Sequence, residues 1–249
     1  MIFRQWFEPV SSTYTYLLGC ETTGEAVLID PVMPAWERDL GLVRGLGLRL
    51  RYTVETHIHA DHITSALTLR QQTGSRIAYP APARVTCADV ALEHGKPLVV
   101  GSLRLEPRHT PGHTDDHFAY VVGDRVFTGD ALLIDGCGRT DFQNGDARTL
   151  YRSVHEQLFT LPDDTLVYPA HDYQHRRVSS IAQERARNPR LGGDHTLDDF
   201  LKTMAELRLP VPKFIDYAVP GNRLCGVCPE GLDADLLKYC SAQAGTPQG

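Results

Sequence analysis

Three imidazoles and a carboxylate fall within six residues, His57-Ile58-His59-Ala60-Asp61-His62, directly after an apolar run that reads as a strand. Donors packed so closely are hard to account for except by a metal ion. In an extended segment side chains alternate in direction, so His57 and His59 project from one face while Asp61 and His62 follow at a turn or helix start. One short segment can therefore surround an ion from two sides. Three further candidates each sit where a strand ends: His113 in Thr110-Pro111-Gly112-His113-Thr114, Asp130 in Thr128-Gly129-Asp130-Ala131, and His171 in Pro169-Ala170-His171-Asp172. A lone histidine in a Pro-Gly turn is more often a surface residue. In this order and at these strand ends, the candidates together compose a metal site.

These residues must be positioned by strands and helices that alternate along the chain. Residues 14–19 and 26–30 are β-rich runs joined through Glu21-Thr22-Thr23-Gly24, which reads as a hairpin. Residues 51–56 form a third strand that ends at the histidine cluster. Residues 63–72 carry apolar side chains at helical spacing and close on Thr73-Gly74, which places Asp61 and His62 near a helix N-terminus. Strands at 98–100, 103–106, 118–122 and 126–127 imply a second sheet or a continuation of the first. Helices are expected at 149–159, 174–186 and 197–207, with a strand at 165–168 and a frayed polar tail after residue 242.

Composition bounds the class. With 249 residues, 42% hydrophobic and 22% charged, the chain reads as one globular domain over 1–249 with a helical C-terminal extension from about residue 174. A formal net charge of −6 argues against nucleic acid or an anionic membrane as the main partner, although a local basic pocket could still take an acidic small molecule. The start Met1-Ile2-Phe3-Arg4-Gln5-Trp6-Phe7-Glu8 resembles neither a secretory signal nor a transit peptide, and no stretch approaches the roughly 20 apolar residues of a membrane span. A cytoplasmic, bacterial protein is expected. Six dispersed cysteines do not read as a disulfide framework, and a reducing compartment would keep them as thiols. Cys225-Gly226-Val227-Cys228 is a lone CxxC whose plain reading is a pair of ordinary thiols.

The ordered set HxHxDH, PGHT, TGDAL and PAHD resembles the metallo-β-lactamase superfamily over nearly the whole chain, from about Phe3 to Gly226. That resemblance implies an α/β architecture, an αββα sandwich with the metal site at one edge of the paired sheets. Fold alone does not fix chemistry. Finer motifs are similar to the persulfide dioxygenases: Arg4 to Tyr16, Leu28-Ile29-Asp30-Pro31-Val32, Thr128 to Ile134, Gly136-Cys137-Gly138-Arg139-Thr140-Asp141-Phe142-Gln143, Tyr168 to Tyr173, Asn188-Pro189-Arg190-Leu191 and Ala218 to Asn222. Asp115-Asp116-His117 departs from that pattern by adding charge to the third ligand loop, and Ser12 stands where some relatives carry cysteine.

From ligand chemistry alone a dinuclear zinc hydrolase is favoured, with His59, Asp61, His62 and His171 completing two sites and Asp130 bridging them. The family resemblance reverses that preference. It implies one non-haem Fe(II) per chain bound by His57, His113 and Asp130, a facial set that leaves about three octahedral positions for reactants. His59, Asp61, His62, His171 and Asp172 would then stand around the ion, orienting ligands or relaying protons. The expected reaction is oxidation of glutathione persulfide with O2 and water to sulfite and glutathione, with Asp130, His171 and Tyr173 as catalytic groups. Arg139, Arg190 and Tyr173 would hold glutathione, because a guanidinium fork matches carboxylates. A homodimer is expected. The alternatives are a zinc glutathione thioesterase of glyoxalase II type and a non-catalytic sensor using the CxxC as a switch.

Overall fold

The computed structural model describes residues 1–174, 176–232 and 234–240. Two six-stranded sheets face one another. The first runs in the order β1 (Ile2–Glu8), β2 (Thr13–Gly19), β3 (Glu25–Ile29), β4 (Arg49–Val54), β5 (Arg76–Pro80) and β6 (Val90–Leu92). The second runs β12 (Ser179–Ser180), β11 (Leu166–Pro169), β10 (Arg125–Gly129), β9 (Phe118–Val122), β8 (Leu103–His109) and β7 (Leu98–Val100). Antiparallel pairs dominate the second sheet, whereas β3 to β6 of the first pair in parallel.

Alternation along each strand sends one set of side chains between the sheets and the other set outward. Tyr14, Tyr16, Leu18, Val27, Ile29 and Val54 meet Phe118, Tyr120, Phe127 and Tyr168 in the central layer. The outward set of the first sheet, Leu17, Ala26, Leu28 and Leu50, is covered by Leu40 and Val43 of α1 (Trp36–Gly45) and Leu69 of α2 (Ala66–Thr73). On the far side, Ala119, Val126 and Val167 pack against α3 (Ala147–Ser153), which passes into a π-helical turn (Val154–Leu158), and against Phe200 of α5 (Leu197–Glu206). Helix, sheet, sheet, helix is the expected αββα sandwich.

Several sequence expectations shift. The helix expected over 174–186 is confined to α4 (Ile181–Arg187), and residue 175 lies outside the described residues. Asp172 takes the backbone N–H groups of Gln174 and Arg176 (3.1 and 2.5 Å) and turns the chain, and Ser180 then starts the helix by accepting from Gln183 N. Helix α2 begins at Ala66, so Asp61 and His62 stand in the loop before it rather than at its first turn. Strands β1 and β5 and helices α1 and α6 (Ile215–Asn222) were not foreseen. The expected tail after 242 lies outside the described residues.

The cysteine expectation is overturned. Cys87 pairs with Cys225 and Cys228 with Cys240, so the CxxC residues bond outward to different partners instead of remaining thiols, while Cys20 and Cys137 stay free and buried. Residues far apart in sequence are brought together only by the packing of α6 and α7 (Ala234–Cys240) against the first sheet's loops. Spacing alone carried no sign of it.

Candidate metal centre

Every donor stands just past the C-terminal end of a strand: His57 after β4, His113 after β8, Asp130 after β10 and His171 after β11. Backbone bonds hold these loops together, between the sheets from Phe118 N to Thr56 O (2.8 Å) and Tyr14 N to Ala170 O (2.7 Å), and within the second sheet from Ala170 N to Gly129 O (2.9 Å). His57, His113 and Asp130 present donor atoms that all lie within 4.8 Å of one another. His59, Asp61 and His62 form a second such group, and Asp30, Glu55 and His59 a third.

Buried partners set which imidazole nitrogen faces the site. Thr56 donates its hydroxyl to Asp30 Oδ2 (2.9 Å), so it accepts from Nδ1 of His57 (3.0 Å) and leaves Nε2 with its lone pair free. His113 gives its Nδ1 proton to the carbonyl of Arg139 (2.7 Å), and its Nε2 lies 3.4 Å from Asp130 Oδ2. Burial, reinforced by the neighbouring imidazoles, pushes His57 well below the ordinary histidine range, so it stands neutral and ready to donate. Asp130 keeps a buried Oδ1 without a hydrogen-bond partner. An unpaired buried carboxylate oxygen beside two imidazole Nε2 atoms fits a cation.

His59 is tied differently. Its Nε2 lies 3.1 Å from Asp30 Oδ1 and 3.5 Å from Glu55 Oε2. Burial alone would favour its neutral form, but the Asp30 carboxylate outweighs that and holds its pKa well above the usual range. Asp61, half-buried, is held far below the carboxylate range by His62, whose Nδ1 lies 2.9 Å from Asp61 Oδ2. His171 Nε2 sits 3.5 Å from Asp61 Oδ2 and 3.7 Å from Asp130 Oδ2, bridging the two donor groups. Asp172 is occupied by the Gln174 and Arg176 backbone and by the Arg176 guanidinium, so its structural work is to shape the turn.

Residues not foreseen as site elements prove to position it. Within the apparent excess charge of Asp115-Asp116-His117, Asp116 and His117 are buried supports while Asp115 is exposed. Asp116 accepts from Ile58 N (2.9 Å), between His57 and His59, and His117 Nε2 accepts from Asp130 N (3.0 Å) while its Nδ1 meets Thr110 Oγ1 (2.9 Å). Gly129 adopts φ 53°, and a Cβ there would stand 2.3 Å from His117 Nε2, so glycine is needed for the close approach. Asn222 at the end of α6 accepts from Thr64 N and donates to the carbonyls of His59 and His62, clamping the ligand loop from below. The TGD motif was legible as a candidate; nothing local marks His117 or Asn222 as its supports.

The centre opens into a cavity of about 630 Å³. Leu133, Ile134, Leu209, Pro210 and Phe214 give it apolar walls, and Arg139, Arg176, Arg190, Lys213 and Tyr173 supply polar groups. Arg139 is held by both oxygens of Asp141 (2.6 and 2.7 Å) and by the carbonyl of Pro210. Arg176 pairs with Asp135 and Asp172. Among the described residues, the Arg190 guanidinium bonds only to Cys137, through its carbonyl (2.9 Å) and sulfur, and Lys213 stacks on the Phe214 ring; neither forms an ion pair. Tyr173 is exposed at the mouth, its ring 6.2 Å from that of His171.

Residues 9–171 match the metallo-beta-lactamase superfamily, the class that the paired sheets and their edge site define. A human protein named mitochondrial persulfide dioxygenase ETHE1 is 51% identical over 229 residues, 91% of this chain and 89% of that one. The crystal structure of ETHE1 from Myxococcus xanthus superposes with a TM-score of 0.89 at 53% identity, covering 91% of this chain and 100% of that one. A hydroxyacylglutathione hydrolase from Polaromonas sp. is 35% identical over 179 residues, 70% of this chain and 67% of that one. The chain belongs to the metallo-β-lactamase superfamily and, within it, to the persulfide dioxygenase family. Similar chains occur in human and in Myxococcus xanthus, the former named as mitochondrial, so the expected bacterial origin is not borne out. Among the described residues, no helix is long and apolar enough to cross a membrane.

Proposed function

We propose that this enzyme oxidises glutathione persulfide with O2 and water, giving sulfite, glutathione and two protons, at a single ferrous ion held by His57, His113 and Asp130. The observation that carries the ligand assignment is the tautomer pattern: Thr56 and the Arg139 carbonyl occupy Nδ1 of the two histidines, leaving both Nε2 atoms beside an unpaired carboxylate oxygen. A ferrous ion bound there would place the persulfide sulfur and O2 side by side and pass electrons between them, which redox-inert zinc does not do.

The remaining work belongs to the chain. The apolar walls of Leu133, Ile134, Leu209 and Phe214 limit water around the reacting sulfur. Arg190 and Lys213, without carboxylate partners, are the cations left to receive the two carboxylates of a glutathionyl group. Arg139, already held by Asp141, is better placed to brace the loop that carries the His113 partner carbonyl. Tyr173 is retained as a substrate contact at the mouth. His171, between Asp61 and Asp130, is positioned to hold a proton released in the cavity.

The thioesterase reading has one structural point in its favour, since buried His59 Nδ1 and His62 Nε2 also lack hydrogen-bond partners and could serve a second ion. Much higher identity to the persulfide dioxygenases than to the hydroxyacylglutathione hydrolase weighs against it. Metal analysis of anaerobically purified protein separates them: one iron per chain with persulfide-dependent O2 uptake is expected. Two zinc ions per chain with glutathione thioester hydrolysis would replace this reading. His113→Ala should abolish O2 uptake and strip the iron, and unchanged turnover would refute the ligand assignment. A homodimer is proposed on the family resemblance, testable by sedimentation; a cytoplasmic location is a separate proposal, testable by fractionation.

A further inference from the structure

A second cavity, of about 360 Å³, shares no lining residue with the first and is bounded by Pro82, Ala83, Arg84, Asp115, Asp116 and Arg223. Its volume lies within the range of small-molecule sites. Neither the Arg84 nor the Arg223 guanidinium has a hydrogen-bond or ion-pair partner among the described residues. The two carboxylates are otherwise engaged: Asp116 is buried and accepts from Ile58 N, and Asp115 accepts from Asn144 Nδ2 (3.0 Å) while remaining exposed. Two free guanidinia and one accessible carboxylate match a small molecule with two carboxylates and an ammonium group.

The cavity borders a disulfide. Cys87 follows Arg84 by three residues, is half-buried, and its Sγ lies 3.8 Å from the carbonyl of Arg223; its partner Cys225 is fully buried. Arg84 and Cys225 both hold left-handed backbone conformations (φ 53° and 59°), a costly state for residues with a Cβ. From Cys225 the connection to the metal centre is short. Its carbonyl accepts from Leu67 N (3.1 Å), and Asn222, three residues earlier, clamps the ligand loop.

We propose that this cavity binds a small acidic, amino-bearing thiol and that Cys87 is its site of covalent attachment. The thiolate, steered by Arg84 and Arg223, attacks Cys87 Sγ. A new S–S bond forms between ligand and Cys87, the Cys87–Cys225 bond breaks, and Cys225 leaves as a thiolate that takes a proton from solvent. Attack by a second thiol on the ligand sulfur releases the ligand disulfide and leaves Cys87 reduced. Either product frees the turn beneath the ligand loop, so the cavity reports the local thiol supply to the metal centre.

The test uses the full-length protein and two probe thiols, reduced glutathione and neutral 2-mercaptoethanol, compared at equal thiolate concentration. Intact mass and peptide mapping under non-reducing conditions follow the opening of each disulfide. Glutathione should open Cys87–Cys225 about tenfold faster than 2-mercaptoethanol, the scale of electrostatic steering at a focused charged site, with the adduct on Cys87. Arg84→Gln combined with Arg223→Gln should erase that preference. In unmutated protein the preference should shrink as ionic strength rises, a reading that does not depend on any variant folding. Equal rates for the two thiols, a preference insensitive to salt or surviving the double substitution, an adduct confined to Cys228 or Cys240, or Cys87 and Cys225 alkylated as free thiols without reductant would each overturn the proposal.

Discussion

At the scale of the residue, what matters is which charges are already spent. Arg139 and Arg190 both border the reactive cavity, yet Arg139 is saturated by Asp141 and the Pro210 carbonyl while Arg190 retains free donors. Arg190→Gln should therefore raise KM for glutathione persulfide by about tenfold, the cost of one charge-assisted contact, with iron content and kcat little changed; an unaltered KM would remove Arg190 from the substrate site. Asp39 offers a separate test. It is fully buried beside exposed Arg38, and burial pushes its carboxyl up to about 6 against the favourable but weaker pull of that guanidinium. The folded state thus prefers the protonated form, so stability is fully present below the unfolded value of about 4 and is lost as pH rises through about 6, by about 3 kcal/mol in all. Asp39→Asn should leave stability at pH 7.5 higher than in the unmutated protein, with the gain shrinking as pH falls toward 4. Denaturant titrations at several pH values check this, and a gain independent of pH would refute it.

Elements convert those residues into a site. Each donor loop follows a strand end, and the strands are fixed by the apolar layer between the sheets, so the donors inherit the rigidity of the core. The HxHxDH loop has no regular structure of its own; Asp30, Asp116 and Asn222 hold it from three directions. Helix α6 matters chiefly because it ends on Asn222. Asn222→Ala would leave the Thr64 N–H and two carbonyls buried without partners, costing about 2–4 kcal/mol and lowering iron retention; thermal melting and metal content should fall together. A variant that melts earlier yet keeps its full iron would show that the clamp serves stability alone. These supports were not legible locally. Asp116 and Asn222 reach the loop they steady across 58 and at least 160 residues of chain, and their types carry no spacing rule that links them to it.

For the whole molecule, the two disulfides join segments that the core brings together. Cys87–Cys225 closes 138 residues of chain and Cys228–Cys240 only 12. Restricting the unfolded chain over the longer span is worth about 5 kcal/mol on a chain-entropy scale, against about 3 for the shorter. Reductant should therefore lower the melting temperature, and Cys87→Ser with Cys225→Ser should account for the larger part. Equal melting with and without reductant would mean that the bridges do not form in solution.

The sequence by itself determined the candidate donors and the layering. Histidine and aspartate at strand ends, period-2 alternation within strands and helical spacing outside them are local properties, and each is written in consecutive residues. The match to persulfide dioxygenase motifs likewise rests on contiguous stretches such as Gly136 to Gln143. Tertiary structure decided which imidazole nitrogen faces the site, which arginines remain free to bind an anion, and which cysteines meet. Those outcomes depend on partners such as Thr56, Asp141 and Cys87 being placed at hydrogen-bonding or bonding distance by folding. Such distances are set by the packing of two sheets and their covering helices, and no spacing along the chain encodes them. The His57 to His62 cluster shows both halves: its composition announces a metal, and the buried acids behind His59 and the amide beneath His62 determine how its members are turned toward it.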